Sequence, residues 1–424
     1  MSREHHKWRI GKPPPTIRAH SLAKHRVLRS YLETYVAVLT SNPRQTQFKL
    51  TLVDGFAGGG RYLEVGSKEE RPGSPLIMLQ AMKAAAGAAR AGRRSSEFNL
   101  DVEYFFIEKD RQALEFLHSV RTESEFRGLL DSKIRLIQGE FVPEVPRIVE
   151  FVKNRGRAGR VIWVVDQFGY LDAPLPTIGT ILAELDNAEV ILTIATDFLI
   201  DYLNDSDETQ ERMNRLGMVL PSTSIRDAKI DREWRRIIQF LLYKEIPQKT
   251  GAAFYTPFFI RSPESHRDFW LIHLSGHYRA RGVMVGLHWQ ESTSFAHYGR
   301  SGLRMLGYDP KTDREWTKQN FLPGFYFDQT ALVSSQEELL EQLPKHFHEF
   351  RQGITFADAF AQLTNDTPVT AEIMKEVIRD LAAQGVLDVR DSSGLTSRRA
   401  GVQHDTDVIF PSRQKRLFLP RGGK

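Results

Sequence analysis

Short runs of apolar residues recur along the first two thirds of the chain, and most end at a polar or glycine-containing segment. Their length and their β-branched and aromatic content are typical of buried strands. They cover residues 48–53, 102–107, 134–138, 161–165, 188–194, 254–260 and 268–274. Apolar residues at helical spacing occur before and between these runs, as at Leu28, Leu32 and Val36 in the segment 20–40. This alternation predicts a doubly wound, seven-stranded α/β sheet of the Rossmann-like class, with helices on both faces.

The same pattern predicts the boundaries of the first part of the chain. The last two runs are separated by only a few polar residues and predict a late hairpin. Residues 206–247 have helical character and predict a helical insertion in a domain that spans 20–295. Residues 1–19 are basic and contain Pro13-Pro14-Pro15, so we expect a flexible basic arm there.

The C-terminal third has a different pattern. Residues 296–347 are rich in glycine, proline and aromatic residues and predict an irregular linker. Residues 348–400 carry two short amphipathic helices and then a strand and a turn. Helix, turn, helix and wing are typical of a winged helix-turn-helix. Residues 401–424 are expected to form a basic tail.

Charge is concentrated at the two ends of the 424-residue chain. Residues 1–30 contain eight Lys and Arg against one Glu, and residues 390–424 contain eight against three Asp. Such ends favour phosphate backbones, so we expect a DNA or RNA partner, although solubilising tails have the same composition. The second helix of the winged module, Thr370 to Ala383, contains only two basic residues, Lys375 and Arg379, which is typical of a weak reader of bases or of a protein contact.

Several classes of protein are disfavoured by composition. The chain has no cysteine, which excludes disulfides, thiolate metal sites and cysteine nucleophiles. No metal site is expected. The N-terminal segment lacks an apolar stretch and no run of about 18 apolar residues occurs, so we expect a cytoplasmic protein without a membrane span.

A glycine cluster directly follows the first predicted strand. In a parallel sheet, such a loop lets the backbone approach a ligand at the carboxyl edge. An acidic residue precedes the glycines, as it does in nucleoside-binding sheets where a carboxylate meets an amino group of the ligand. A plain glycine turn is the alternative. The candidate cofactor-binding residues in this segment are Asp54, Gly55, Phe56, Ala57, Gly58 and Gly60.

Acidic residues also end the second and third strands. Glu108, followed by Lys109, is placed to accept ribose hydroxyls, whereas the alternative is a surface carboxylate. Gly139 and Glu140 are candidates for the edge of an adenine ring. Together with Asp54, these residues predict a nucleoside-containing cofactor.

The fourth strand ends in Asp166-Gln167-Phe168-Gly169-Tyr170. Asp166 and the backbone carbonyl of Gln167 could orient the N–H bonds of an amine nucleophile, and Phe168 or Tyr170 could stack on an extruded base. Asp166, Gln167 and Phe168 are therefore the candidate catalytic residues. The alternative is an aspartate that caps the next helix beside a core aromatic residue.

Five motifs of this chain closely resemble the three-Cys-motif partner protein (TcmP) family. They are His20-Ser-Leu-Ala-Lys-His25, Asp54-Gly-Phe-Ala-Gly-Gly-Gly-Arg-Tyr62, Pro72-Gly-Ser-Pro-Leu76, Phe106-Ile-Glu-Lys-Asp110 and Asp166-Gln-Phe-Gly169. The second and third also resemble RlmJ-type adenine-N6 methyltransferases of 23S rRNA. The resemblance implies a class I methyltransferase sheet, S-adenosyl-L-methionine (SAM) as cofactor and a separate three-Cys-motif protein as partner. It extends over about residues 18–290.

The resemblance also suggests which residues contact the substrate. A Lys-His pair on the first helix belongs to the RlmJ-type signature and corresponds to Lys24 and His25. The candidate substrate-binding residues are His20, Lys24, His25, Arg61, Tyr62 and Tyr170. His20 and Lys24 share a helix face, which could equally be a solvated face.

One motif departs from the amino-methyltransferase pattern. Those enzymes carry Asp-Pro-Pro-Tyr at the fourth strand, whereas this chain has Asp-Gln-Phe-Gly. The two prolines that fix the backbone before the aromatic residue are lost. The motif therefore supports SAM binding better than it supports adenine-N6 chemistry. From the whole set of motifs we expect a SAM-dependent methyltransferase acting on an amino group of a nucleic-acid base, with adenine N6 as the candidate target. The alternative is an inactive scaffold or DNA-binding partner of a three-Cys-motif protein.

Overall fold

A computed structural model describes residues 7–93, 98–122, 125–129, 132–156, 159–167, 172–195, 211, 214–217, 243–260, 269–292, 295–305, 324–395 and 401–412. The chain divides into two compact units, Met1–His297 and Tyr298–Lys424. Most of the expected helical insertion at 206–247 lies outside the described residues, and the described segment 243–250 is helical.

The first unit alternates strands and helices. Its strands are β1 (Thr16–Ile17), β2 (Gln47–Asp54), β3 (Arg61–Glu64), β4 (Glu70–Pro72), β5 (Asn99–Glu108), β6 (Ile134–Gln138), β7 (Arg160–Asp166), β8 (Ala188–Ala195), β9 (Phe254–Ile260), β10 (Phe269–Ser275) and β11 (Phe295–Tyr298). Its helices are α1 (Ala19–Leu39), α2 (Ser74–Ala91), α3 (Arg111–Thr122), α4 (Phe141–Asn154), α5 (Leu175–Glu184) and α6 (Tyr278–Glu291).

Eight of these strands lie side by side in the order β11-β9-β10-β8-β7-β2-β5-β6. Strands β6, β5, β2, β7 and β8 are parallel, and β10 is antiparallel to both β8 and β9. The seven predicted strands, numbered along the chain, therefore follow the order 3-2-1-4-5-7-6 with the seventh reversed. This is the arrangement of class I methyltransferase sheets, and it confirms the predicted doubly wound α/β fold.

Helices cover both faces of the sheet. Tyr31 of α1 contacts His273 of β10, and Phe141 of α4 contacts Trp163 of β7. Trp163 and Leu274 share a face, because each is paired with Val190 of β8. Neighbouring residues of a strand point to opposite faces, so His273 and Trp163 lie on opposite sides. Helix α1 therefore packs on one face and α4 on the other.

The described part of the N-terminal segment, residues 7–19, is held to the domain by backbone pairing and a side-chain hydrogen bond, which differs from the flexible arm that its composition predicts. Strand β1 pairs with β3, and β3 pairs with β4, so that residues 16–17 belong to a small three-stranded sheet. The side chain of Trp8 donates a hydrogen bond from Nε1 to the carbonyl of Arg61 at 2.9 Å. Partial burial of one aromatic side chain, its hydrogen bond and the backbone pairing together hold this short basic segment against the domain.

The second unit contains the winged helix-turn-helix. Its elements are β12 (Gly324–Phe325), α7 (Gln329–Phe347), β13 (Ile354–Thr355), α8 (Phe356–Leu363), a 3-10 turn (Thr364–Asp366), α9 (Ala371–Ala383), β14 (Leu387–Arg390) and β15 (Val408–Pro411). The three strands β13, β15 and β14 form one antiparallel sheet, and the apolar sides of α8 and α9 are buried.

Two boundaries of this unit differ from the sequence predictions. The expected irregular linker at 296–347 contains the 19-residue helix α7, which starts where the carboxylate of Asp328 accepts a hydrogen bond from the backbone of Ala331. The expected basic tail at 401–424 supplies β15, which pairs with both β13 and β14. The apolar side chain of Ile409 is buried and fixes this last strand in the module.

Candidate functional site

Three carboxylates meet at the carboxyl edge of the large sheet. Asp54, Glu108 and Asp166 end β2, β5 and β7, and β2 lies between the other two strands. In the sheet register Asp54 is paired with Phe106 and with Val164, which are each two residues before Glu108 and Asp166. All three side chains therefore share a face, at the point where the strand order reverses. Open α/β sheets bind their ligands at this point.

Asp54 is fully buried. Its Oδ1 accepts a hydrogen bond from the backbone of Phe56 at 3.1 Å, and its Oδ2 has no partner among the described residues. Burial raises the pKa of Asp54 to about 7, although the Ser74 hydroxyl and the backbone of Phe56 each lower it. The charges of Asp166 and Glu108 add smaller upward shifts. A buried carboxylate oxygen without a donor is suited to accept a hydrogen bond from a cationic ligand group.

Glu108 holds the glycine loop against the edge of the sheet. Its Oε2 accepts a hydrogen bond from the backbone of Gly58 at 2.8 Å, and its Oε1 accepts one from Asp110 at 2.8 Å. The backbone of Gly55 donates to Val164 and that of Ala57 to Ile107, both at 2.9 Å. The loop thus bridges β7 and β5. Each carboxylate oxygen of Glu108 can still accept a second hydrogen bond from a ligand hydroxyl.

Asp166 forms an ion pair with Lys24 of α1. The ammonium nitrogen lies 2.6 Å from both carboxylate oxygens, and the two side chains are 11% and 30% exposed. Burial alone would raise the pKa of Asp166, but Lys24, His25 and a hydrogen bond from Thr193 together lower the pKa below its ordinary value. Asp166 is therefore ionised at neutral pH and keeps lone pairs free for a further donor.

Tyr62 and His25 close the side of the site next to these acids. Their rings are 6.1 Å apart. Burial raises the pKa of Tyr62, and the charges of Asp166, Asp54 and Glu108 add to the effect, so the phenol stays neutral. Burial and the neighbouring Lys24 lower the pKa of His25 to about 4. Both side chains are thus uncharged hydrogen-bonding groups at neutral pH.

Trp8 is a site residue that the sequence interpretation missed. Its ring lies against the glycine loop: a Cβ atom added to Gly59 would be 2.1 Å from the indole, and one added to Gly58 would be 2.9 Å from it. The indole also meets the ring of Tyr62 edge-on at 5.3 Å. The available signal was a lone large aromatic residue in a polar segment, together with three consecutive glycines.

Six further predicted residues fall into three groups. Gln167 is buried, and its Oε1 accepts hydrogen bonds from the backbones of Asp172 and Ala173, so its side chain closes the following loop. Lys109, Gly139 and Glu140 lie at the ends of β5 and β6 and are at least partly exposed, and Lys109 is 3.9 Å from Asp172. Phe168 and Tyr170 lie outside the described residues.

Three further predicted residues contact side chains other than the three acids. Phe56 contacts the ring of Phe141, and the guanidinium of Arg61 lies 3.4 Å from Glu70 at the surface. The ring of His20 stacks on Phe269, with ring centres 4.6 Å apart and planes inclined by 14°. His20 is thus turned toward β10.

The described part of the winged module is rich in acidic residues. Over residues 324–395 and 401–412 the sequence has fourteen Asp and Glu against five Lys and Arg. Helix α9 exposes Glu372, Glu376, Arg379 and Asp380, whereas its Lys375 pairs with Asp405 at 2.9 Å. This charge opposes close approach of α9 to a phosphate backbone.

Neither a metal-binding cluster nor a membrane-spanning helix is present in the described ranges. No group of three or more His, Asp or Glu side chains there is arranged to hold a metal ion. No described helix is both long and apolar enough to cross a lipid bilayer.

Comparison with known proteins finds a sequence family that is similar to the winged module. Residues 307–394 match the family model of the GMT-like wHTH domain. The match covers α7, α8 and α9 and agrees with the described winged-helix architecture. No curated protein matches the chain.

Solved structures similar to this chain include several methyltransferases. Protein LPL1258 from Legionella pneumophila, of family DUF519, is 10% identical, with 61% of this chain and 86% of that chain covered and a TM-score of 0.35. A SAM-dependent methyltransferase from Agrobacterium tumefaciens is 14% identical, with 46% and 50% covered and a TM-score of 0.24. A human protein that contains the methyltransferase 10 domain is 9% identical, with 59% and 83% covered and a TM-score of 0.26.

Proposed function

We propose that the first unit binds SAM and transfers its methyl group to an exocyclic amine of a nucleic-acid base. The observation that carries this proposal is the set of three carboxylates, Asp54, Glu108 and Asp166, at adjacent strand ends of a 3-2-1-4-5-7-6 sheet. Two of them lie beside a glycine loop and the third is held ionised by a lysine.

The donor and acceptor groups of the site suit this cofactor. The unpaired Oδ2 of Asp54 is suited to the amino group of the methionine part, and Glu108 to the ribose hydroxyls. Gly139 and Glu140 lie at the end of the neighbouring strand, where an adenine ring would extend. The cofactor supplies an electrophilic methyl group on a positively charged sulfur. The protein supplies binding and orientation.

Asp166 would orient the nucleophile. An ionised carboxylate accepts an N–H hydrogen bond from a neutral amine and directs the lone pair of that amine toward the methyl carbon. After transfer, the N–methylated aromatic amine is a strong acid, so it can pass its extra proton to Asp166 or to water. Lys24 keeps the carboxylate ionised and fixed in direction. The rate enhancement then comes mainly from positioning.

The basic N-terminal segment is the best placed group for a nucleic-acid backbone. Lys7, Arg9 and Lys12 are exposed, and they flank Trp8, which packs on the glycine loop. The acidic face of α9 is less suited to phosphate contacts. We therefore assign phosphate binding to the segment 7–12 and a protein-binding role to the winged module, for which the three-Cys-motif protein is the candidate partner. Adenine N6 is the candidate target atom.

Calorimetric titration with SAM tests the cofactor assignment. We expect saturable binding that Asp54→Ala or Glu108→Ala weakens about 10-fold or more, whereas Glu115→Gln on the exposed surface of α3 has no effect. A tritiated-methyl assay across DNA, rRNA and tRNA tests the reaction. We expect Asp166→Asn to keep SAM binding and to lose transfer. Unchanged titrations in both alanine variants would refute the site.

A catalytically inactive scaffold is the second candidate function. Two observations favour it: Lys24 engages both oxygens of Asp166, and the side chain of Gln167 closes its loop in place of the prolines of amino-methyltransferases. Binding of SAM with no transfer to any of the three nucleic acids would support this function over the first.

A further inference from the structure

We propose that Phe269 is a stacking surface for the base whose amine is methylated. The inference rests on the proposed function, since it concerns the substrate of the same site. It adds a substrate-binding residue from β10, a strand that carries none of the residues predicted from the sequence motifs.

The position of Phe269 follows from the strand register. Asp166 of β7 is paired with Thr193 of β8, and Thr193 is paired with Leu271 of β10. Phe269 is two residues from Leu271 along β10, so it lies on the same face of the sheet as Asp166. Because β10 is antiparallel to β8, the first residue of β10 lies at the carboxyl edge of the parallel strands.

A single ammonium group connects this ring with the catalytic carboxylate. The nitrogen of Lys24 lies 5.5 Å from the centre of the Phe269 ring and 2.6 Å from both oxygens of Asp166. A base that directs its amine to Asp166 would therefore extend its ring plane into the neighbourhood of Phe269. Base–aromatic stacking contributes about 1–3 kcal/mol per base.

The orientation of the ring is fixed from one side. His20 stacks on Phe269 with ring centres 4.6 Å apart, and His20 and Lys24 lie one helical turn apart on the same side of α1. Phe269 is only partly buried. The contacts from α1 hold the ring in one orientation, as a stacking surface requires, and a base would stack on the ring face opposite His20.

The test separates stacking from simple packing with two substitutions at one position. Phe269→Leu keeps an apolar side chain of similar size but removes the aromatic face, whereas Phe269→Trp keeps an aromatic face. The matched control is Phe254→Leu at the other end of the same hairpin, where Phe254 is paired with Ser275 and contacts Tyr278. Circular dichroism verifies the fold of each variant.

The probes are fluorescein-labelled single-stranded oligodeoxyadenylate and oligodeoxycytidylate, with a fully abasic oligomer of equal length as reference. We expect wild type to bind at least one base-containing oligomer more tightly than the abasic one. Phe269→Leu should reduce this preference about 5- to 150-fold, the equivalent of the stacking energy. Phe269→Trp and Phe254→Leu should retain it. SAM affinity should be the same in all four proteins.

Three outcomes overturn the inference: equal binding of wild type to all oligomers, retention of the base preference in Phe269→Leu, or its loss in Phe254→Leu to the same extent. The proposed function fails in a different way. If base preference depends on Phe269 but calorimetry detects no SAM binding, the stacking surface stands and methyl transfer is refuted.

Discussion

The ammonium of Lys24 and the carboxylate of Asp166, 142 residues apart in the sequence, form a two-fold hydrogen-bonded ion pair at the carboxyl edge of the sheet. Through this ion pair helix α1 contacts the carboxyl end of β7. The pair gives Asp166 a charge that its partly buried environment would otherwise disfavour. The same contact also fixes the direction of the carboxylate.

Removal of Lys24 should therefore change the pH dependence of methyl transfer. In Lys24→Met the pKa of Asp166 should rise, because the lysine charge no longer offsets the effect of burial on that pKa. The acidic limb of the pH–rate profile should therefore shift to higher pH by about one unit or more. Stability should fall by about 1–3 kcal/mol, since one charge is left unpaired. Urea denaturation and a pH series of transfer rates measure the two effects.

Two variants serve as controls for this experiment. Lys83→Met removes an exposed lysine that pairs with Glu125 and should change neither quantity. Lys24→Arg keeps the charge and should leave the acidic limb close to that of wild type. An unshifted limb in Lys24→Met would show that Asp166 does not act in its ionised form.

Asp54 should make SAM binding depend on pH. The pKa of about 7 means that the carboxylate is partly protonated in the free protein near neutrality. A cationic ligand group favours the ionised form, so binding releases a proton below pH 7 and affinity should fall up to about 10-fold per pH unit there. Above pH 7 affinity should be constant. Calorimetry between pH 5.5 and 8.5 measures the curve.

Asp54→Asn tests the same group through stability. The folded-state pKa is raised above the unfolded value, so the protonated acid is favoured by folding and stability declines as pH rises from about 4 to about 7. Asparagine does not titrate, and this decline should be smaller in the variant. SAM binding by Asp54→Asn should be weak and independent of pH. Parallel stability curves for wild type and variant would contradict the assigned pKa.

The effects of substitutions at Trp8 and Gly59 on the free energy of unfolding should be strongly coupled. An alanine at Gly59 places its Cβ 2.1 Å from the indole, so Gly59→Ala should cost about 1–3 kcal/mol of stability by overpacking. In the Trp8→Ala background the same change should cost much less, because the space is open. A double-mutant cycle by urea denaturation gives the coupling energy. Additive effects would show that Trp8 does not pack on the loop.

The acidic residues of the site could be predicted from the sequence because parallel strands place their carboxyl ends at one edge. Apolar runs located β2, β5 and β7, so Asp54, Glu108 and Asp166 followed as neighbours. The Lys24 contact could not follow from periodicity, since it depends on how α1 lies on the sheet. The shared Lys-His motif indicated, through a family resemblance, that Lys24 belongs to the site, but it did not indicate the contact with Asp166.

Other features were missed for identifiable physical reasons. Pro344 lies inside α7, and proline removes a backbone donor, so the sequence around it does not look helical. The regular spacing of Leu339, Leu343 and Phe347 was the signal for that helix. Strand β15 was hidden in a region whose charge dominated the interpretation. In both elements the packing of buried apolar side chains outweighed the local signal, which was the proline in α7 and the high charge around β15.

The exposed basic residues of segment 7–12 are the expected contacts for a nucleic-acid backbone. If segment 7–12 binds phosphates, Lys7→Gln, Arg9→Gln and Lys12→Gln together should weaken single-stranded DNA binding and lower the slope of log affinity against log salt by about 2. Gln replacement of Lys375 and Arg379 on α9 should leave the slope unchanged, because acidic side chains surround them. Fluorescence anisotropy over a range of salt concentrations measures both slopes. A loss of slope only in the α9 variant would place the contacts on the winged module.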